Sequence, residues 1–157
     1  MLTGKKIVLG VSGGIAAYKM ANVASMLSKL HADIHVVMTE NATHFITPET
    51  FEVLTGNHCY TDTFDRCMEL HVPHIALGTQ ADAILIAPAS ADVVGKIANG
   101  IADDMLTTCV LPATCPVMLA PSMNVHMYEN PIVQDNMKKL ASYGYEIIEA
   151  DEGYLAC

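Results

Sequence analysis

Two short stretches of this chain combine residue types that could hold an anion. The first is Ala87-Pro88-Ala89-Ser90-Ala91-Asp92, which follows the apolar run Ala83-Ile84-Leu85-Ile86 and leads into Val93-Val94-Gly95-Lys96-Ile97-Ala98-Asn99-Gly100. An apolar run that breaks at proline into small and hydroxyl residues, then resumes at helical spacing, predicts a buried strand, a tight loop and the amino end of a helix. Free backbone N–H groups and the positive end of the helix dipole at such a loop suit a phosphate or another anionic group. The second stretch is Ser12-Gly13-Gly14, where two glycines permit close backbone approach and the serine supplies a hydroxyl. Gly10 to Gly14 also fits the G-x-S-x-G pattern of a nucleophilic serine, but that elbow normally follows several earlier strands and here it closes the first. His71 and His74 stand three apart, yet no Glu or Cys at ligand spacing accompanies them and Pro73 lies between, so no metal site is expected. Taken alone, a single histidine such as His74 is more often a satisfied surface or core residue than a catalyst.

The elements that must position these residues follow from the apolar pattern. Lys5 to Val11 is almost wholly apolar after its lysines, as in a strand buried on both faces of a parallel sheet. Ile15, Tyr18, Ala21, Val23, Met26, Leu27 and Leu30 recur at three and four, predicting one amphipathic helix over Ile15 to Leu30. Further strands are expected at Ala32 to Met38, Ala83 to Ala87, Val117 to Ala120 and Glu146 to Ile148. Helical stretches are expected within Thr39 to Asn57, at Leu70 to Gln80, from Ala91 to Leu111 and from Pro131 to Tyr143. Strands alternating with helices imply an α/β fold with a parallel sheet covered on both faces. Ligands in such folds lie beyond the carboxyl ends of the strands. Four loops therefore converge as candidates: Ser12-Gly13-Gly14, Thr39-Glu40-Asn41, Pro88 to Val93 and Pro121-Ser122-Met123-Asn124.

The 157 residues suit a single domain, and a hydrophobic fraction of 52% against 16% charged residues predicts surface buried between subunits. A net charge of −9 without a basic stripe argues against a nucleic-acid partner, so backbone and hydroxyls must hold any phosphate. No apolar stretch reaches the roughly 18 residues of a membrane span. The five cysteines, Cys59, Cys67, Cys109, Cys115 and Cys157, form no C-x-x-C pair, and their odd number points to the cytoplasm rather than to a disulfide framework. Cys109 and Cys115 lie in apolar surroundings and are expected to be buried spectators.

Read together, Ser12 to Ala17, His74-Ile75-Ala76-Leu77, Pro88 to Val93, Ile97 to Asp103, Pro121 to Tyr128 and Leu155-Ala156-Cys157 resemble the homo-oligomeric flavin-containing cysteine decarboxylases over nearly the whole chain. The resemblance implies a flavodoxin-like (Rossmann-like) three-layer sandwich over residues 1–157, bound FMN, and self-association into trimers or dodecamers. Within the family it points to the branch that decarboxylates phosphopantothenoylcysteine in coenzyme A biosynthesis, whose members work with a fused or separate synthetase. It would assign FMN to Gly13, Gly14, Ile15, Thr39, Ser90, Ala91, Asp92 and Val93. His74 would be the catalytic base, Asn124 the carboxylate ligand with Ser122 beside it, and Tyr154 and Ala156 part of a flap over substrate. Cys157 would be the acid that completes the reaction, and a flap ending there would be incomplete.

The implied chemistry accounts for these residue types. A cysteine carboxylate has no electron sink, but oxidising its thiol carbon to a thioaldehyde places an acceptor beta to the carboxylate, so that carbon dioxide can leave. A histidine assists removal of the thiol proton, and an asparagine amide orients the carboxylate without an ion pair that would oppose its loss. Two motifs depart from the family pattern: Asp92 and Val93 end the Pro-Ala-Ser-Ala-Asn-Thr motif, and Gly78 and Thr79 stand where a basic residue usually follows His-Ile-x-Leu. Alternative readings are oxidative decarboxylation of a peptide's C-terminal cysteine, which Leu155-Ala156-Cys157 disfavours, and a flavin-binding regulatory subunit without turnover.

Overall fold

A computed structural model describes residues 1–65 and 72–149. Five strands, β1 (Lys6–Val11), β2 (Asp33–Met38), β3 (Ala83–Ala89), β4 (Val117–Pro121) and β5 (Glu146–Ile147), pair in the order β2-β1-β3-β4-β5. Every pairing is parallel, in register from Lys6↔Asp33 to Val11↔Met38 for β1 and β2. This is the flavodoxin-like order, and the chain runs one way from β1 to β2 and the other way from β3 onward, so the switch point falls between β1 and β3.

Helices cover both faces. One face carries α1 (Met20–Lys29) and α2 (Pro48–Thr55), packed over a core that includes Leu9, Val11, Ile34, Val36, Met38 and Phe51. The other carries α3 (Pro73–Gln80), α4 (Ala91–Ala98), α5 (Met105–Val110) and, beyond the short α6 (Val125–Tyr128), α7 (Pro131–Ser142), over Val8, Ile84, Ile86, Leu106 and Leu119. Alternate residues of β1 thus enter different cores, which is why its sequence reads as a continuous apolar run. No described helix is long and apolar enough to cross a membrane.

Several expectations are corrected in detail. The helix expected over Ile15 to Leu30 opens as a 3-10 turn, Ile15–Lys19, before α1 begins. The stretch Ala91 to Leu111 divides into α4 and α5 because Gly100 takes a left-handed conformation, φ +67°, that no continuing helix accommodates. The third strand does not stop before its proline: it runs through the cis Ala87–Pro88 bond to Ala89, with a register shift between Ile86 and Ala89. Proline lacks only the donor, and its carbonyl still accepts from the neighbouring turn. Cys109 is buried, its thiol pushed up to about 12 chiefly by burial, whereas Cys115 is only half-buried. The amino end of the helix expected at Leu70 lies outside the described residues, as do His71 and Cys67.

Candidate functional site

A cleft of about 430 Å³ opens at the carboxyl ends of β1, β2 and β3, at the switch point. Its walls are Gly13 after β1, Thr39, Glu40 and Asn41 after β2, and Ser90 to Val93 with Lys96 on α4; Asp103, Asp104 and Met127 complete them. Three of the four predicted loops therefore meet, and the fourth approaches through Ser122, whose N–H donates to Ala89 O at 3.1 Å. Six of the eight predicted cofactor residues, Gly13, Thr39, Ser90, Ala91, Asp92 and Val93, line the cleft. Gly14 and Ile15 do not line it; Ile15 faces solvent, 52% exposed.

The backbone donors of the turn after β3 are allotted one by one. Ser90 Oγ caps α4 by accepting from Val93 N–H at 3.3 Å, and Ser90 N–H donates to Ser12 Oγ at 2.9 Å. Ala91 and Asp92 occupy the first two positions of the helix, where no intrahelical acceptor exists for an N–H. These two N–H groups and the hydroxyl proton of Ser90 are the donors the turn can offer an anion. Val93 contributes no side chain, since its isopropyl group is buried in the core.

Ser12 has a different role from the one its motif suggested. It is fully buried, and its hydroxyl donates to Pro88 O at 2.5 Å while accepting from Ser90 N–H. It ties the first turn to the third. Gly13 is demanded by close approach: a Cβ there would lie 2.5 Å from Asn41 Cβ and 3.1 Å from the Asn41 carbonyl carbon. Gly14 has room, its nearest neighbour being Pro88 Cγ at 3.9 Å. Thr39 is nearly buried and its Oγ1 accepts from Ala42 N–H at 3.2 Å, which shapes the turn after β2.

Of the other predicted residues, none that the structure describes lines this cleft. His74 sits in the first turn of α3, half-buried, and its Nδ1 is buried with no hydrogen-bond partner among the described residues. Asn124 is exposed and caps α6, its Oδ1 accepting from His126 N–H at 2.9 Å. Fixing the oxygen there leaves the amide's two N–H donors for a ligand. Tyr154, Ala156 and Cys157 lie outside the described residues. Gly78 occupies the place of the family's basic residue for a packing reason: a Cβ would meet Cys109 O at 2.3 Å, so α3 and α5 could not close on any larger side chain. Glu40 and Asn41 line the cleft as members of a predicted loop, and Lys96, Asp103, Asp104 and Met127 line it with no role assigned from the sequence. The signal for Lys96 is its place as the basic residue four after Asp92 on a helix.

Residues 1–157 match the Flavoprotein family. The chain belongs to that family. This flavoprotein is 50% identical over its full length to the coenzyme A biosynthesis bifunctional protein CoaBC of Bacillus subtilis, but it spans 39% of that relative's length. It is 44% identical to the probable phosphopantothenoylcysteine decarboxylase of Streptococcus mutans, over 98% of this chain and 87% of the relative. Among solved structures it superposes on the FMN-dependent cysteine decarboxylase SpaF with a TM-score of 0.90 and 38% identity, covering 98% of this chain and 88% of SpaF. A PPC decarboxylase mutant complexed with pantothenoylaminoethenethiol gives a TM-score of 0.84 at 30% identity, covering 97% and 85% of the two chains.

Proposed function

We propose that this flavoprotein holds FMN in the cleft at the switch point and decarboxylates phosphopantothenoylcysteine to phosphopantetheine. The observation that carries the reading is the set of unused donors, Ala91 N–H, Asp92 N–H and the Ser90 hydroxyl, beside the close-approach glycine Gly13 in a cleft of about 430 Å³. These fit a phosphorylated flavin, and the solved structures named for an FMN-dependent cysteine decarboxylase and a PPC decarboxylase superpose over 98% and 97% of this chain.

When bound, FMN supplies a reversible hydride acceptor, which makes the net reaction redox-neutral. His74 takes the substrate thiol proton; its buried Nδ1, without a partner among the described residues, is a group that costs free energy until a partner arrives. Asn124 turns its amide donors to the substrate carboxylate, its oxygen being held by His126 N–H. Cys157 gives the proton that completes reduction after carbon dioxide leaves, and Tyr154 and Ala156 cover the substrate. Ser122 holds the Asn124 loop against β3 through Ala89.

Self-association into trimers completes the reading, supported by the exposed apolar side chains Ile15, Tyr18 and Met26 along one segment. Light scattering should then report three times 16.9 kDa or a multiple of that mass. A synthetase, fused or separate, would be the partner in the same pathway, and the cytoplasm the compartment.

The test is incubation of the purified chain with phosphopantothenoylcysteine and, in parallel, with a peptide ending in cysteine, the products read by mass spectrometry. Yellow protein and phosphopantetheine are expected. An enethiol from the peptide would redirect the reading to oxidative decarboxylation. Protein that cannot be loaded with flavin and releases no carbon dioxide would overturn it.

A further inference from the structure

Asp92 sets an electrostatic problem at the amino end of α4. Its carboxylate stands in the first helical turn, beside the donors of Ala91, Asp92 and Ser90, and competes with any phosphate for the same positive field. The described residues lining the cleft include four carboxylates, Glu40, Asp92, Asp103 and Asp104, and one cation, Lys96. A dianionic phosphate should be repelled unless Asp92 in particular is neutralised.

The chain brings Lys96 to that task. Its Nζ lies 3.3 Å from Asp92 Oδ2, one turn earlier on the same helix, and 3.1 Å from Asp103 Oδ1 and 3.8 Å from Asp104 Oδ2. The end of α4 builds this arrangement. Ile101 N–H donates to Lys96 O at 2.9 Å and Gly100 N–H to Ile97 O at 3.3 Å, with Gly100 left-handed at φ +67°, so the chain reverses and returns its two aspartates to the lysine. Asp104 is held in turn by Thr107, whose N–H and Oγ1–H each donate to Oδ1 at 2.7 Å. Burial disfavours the charged amine, but the hydrogen bonds to Asp103 and Asp92 and the charge of Asp104 outweigh it and hold the Lys96 pKa above its ordinary value.

We propose that Lys96 is a positioning residue for the cofactor phosphate: by drawing the Asp92 carboxylate into an ion pair along α4, it frees the helix amino end and gives the cleft its preference for a phosphorylated over an unphosphorylated flavin. Lys96 acts through Asp92, not by touching the phosphate. The inference rests on the FMN reading of the cleft.

The experiment titrates flavin-stripped full chain with FMN and with riboflavin, following flavin fluorescence at low and high salt. Wild type should prefer FMN. Lys96→Met should weaken FMN binding about tenfold while riboflavin binding stays within about twofold, and salt should shrink the defect. Lys96→Arg should keep the wild-type preference. Asp92→Asn alone should tighten FMN binding several-fold, and added to Lys96→Met it should restore most of the lost affinity. Equal weakening toward both flavins in Lys96→Met would overturn the proposal in favour of a structural role. Failure of Asp92→Asn to rescue would overturn it in favour of direct contact. Wild type that binds both flavins equally would sink this proposal alone, whereas wild type that binds neither would sink the cofactor reading beneath it. Should Lys96→Met not fold, the single Asp92→Asn variant still decides, because unchanged or weakened FMN binding there contradicts the repulsion.

Discussion

The turn after β1 and the turn after β3 both set a serine among small residues at the carboxyl end of a buried strand, yet packing closes the first and capping leaves the second open. In the first, Gly13 is wedged against Asn41 and the Ser12 hydroxyl is consumed between Pro88 O and Ser90 N–H. In the second, Ser90 caps α4 through Val93 and leaves two helical N–H groups unclaimed. The first turn is scaffold for the second. Two loops of similar composition at one switch point thus divide into a buried brace and an open turn lining the cleft, and the division is made by which hydroxyl is buried.

The largest expected effect tests the brace. Gly13→Ala forces a Cβ to 2.5 Å from Asn41 Cβ with backbone atoms close behind, so we expect a loss of about 3 kcal/mol in chemical denaturation and loss of flavin retention. Its neighbour supplies the contrast: Gly14→Ala, with nothing nearer than 3.9 Å, should denature within about 0.5 kcal/mol of wild type. If both substitutions cost the same, the packing account of the first turn is wrong.

Ser12→Ala comes next. It strips the partner from Ser90 N–H and one donor from Pro88 O in a buried setting, at a cost of about 2 kcal/mol by denaturation. Ser90→Ala removes only the α4 cap, so about 1 kcal/mol of stability should go. Flavin affinity should fall more in Ser90→Ala than in Ser12→Ala when each folded variant is titrated with FMN. The reverse order would exchange the roles given to the two turns.

The smallest effect on stability is expected in the fourth loop. Asn124→Asp keeps an oxygen to accept from His126 N–H, so α6 stays capped and the denaturation midpoint should hardly move. The two amide donors are lost and a charge is added, so turnover of phosphopantothenoylcysteine should disappear. Retained turnover would show that the amide donors are not what this loop contributes.

Much of the scaffold was legible in the chain. Parallel strands covered on both faces must be apolar throughout, and Ile7 to Val11, Val36 to Met38 and Ala83 to Ile86 read so directly. The breaks were harder. The extension of β3 through Pro88 depends on Ser12 meeting the proline carbonyl from 76 positions away in the chain. The split between α4 and α5 depends on the left-handed Gly100, and α6 has four residues, too few for periodicity to register.

The sequence by itself determined the layers, the strand alternation and the loops that meet at the switch point, because these follow from local apolar period and turn chemistry. Only the tertiary structure decided which members of those loops line the cleft. Ser12 became a buried brace, Gly78 a packing contact, and Lys96 the partner of Asp92, Asp103 and Asp104. Each of those roles is a contact between atoms brought together by the fold, and no pattern along one strand or helix encodes it.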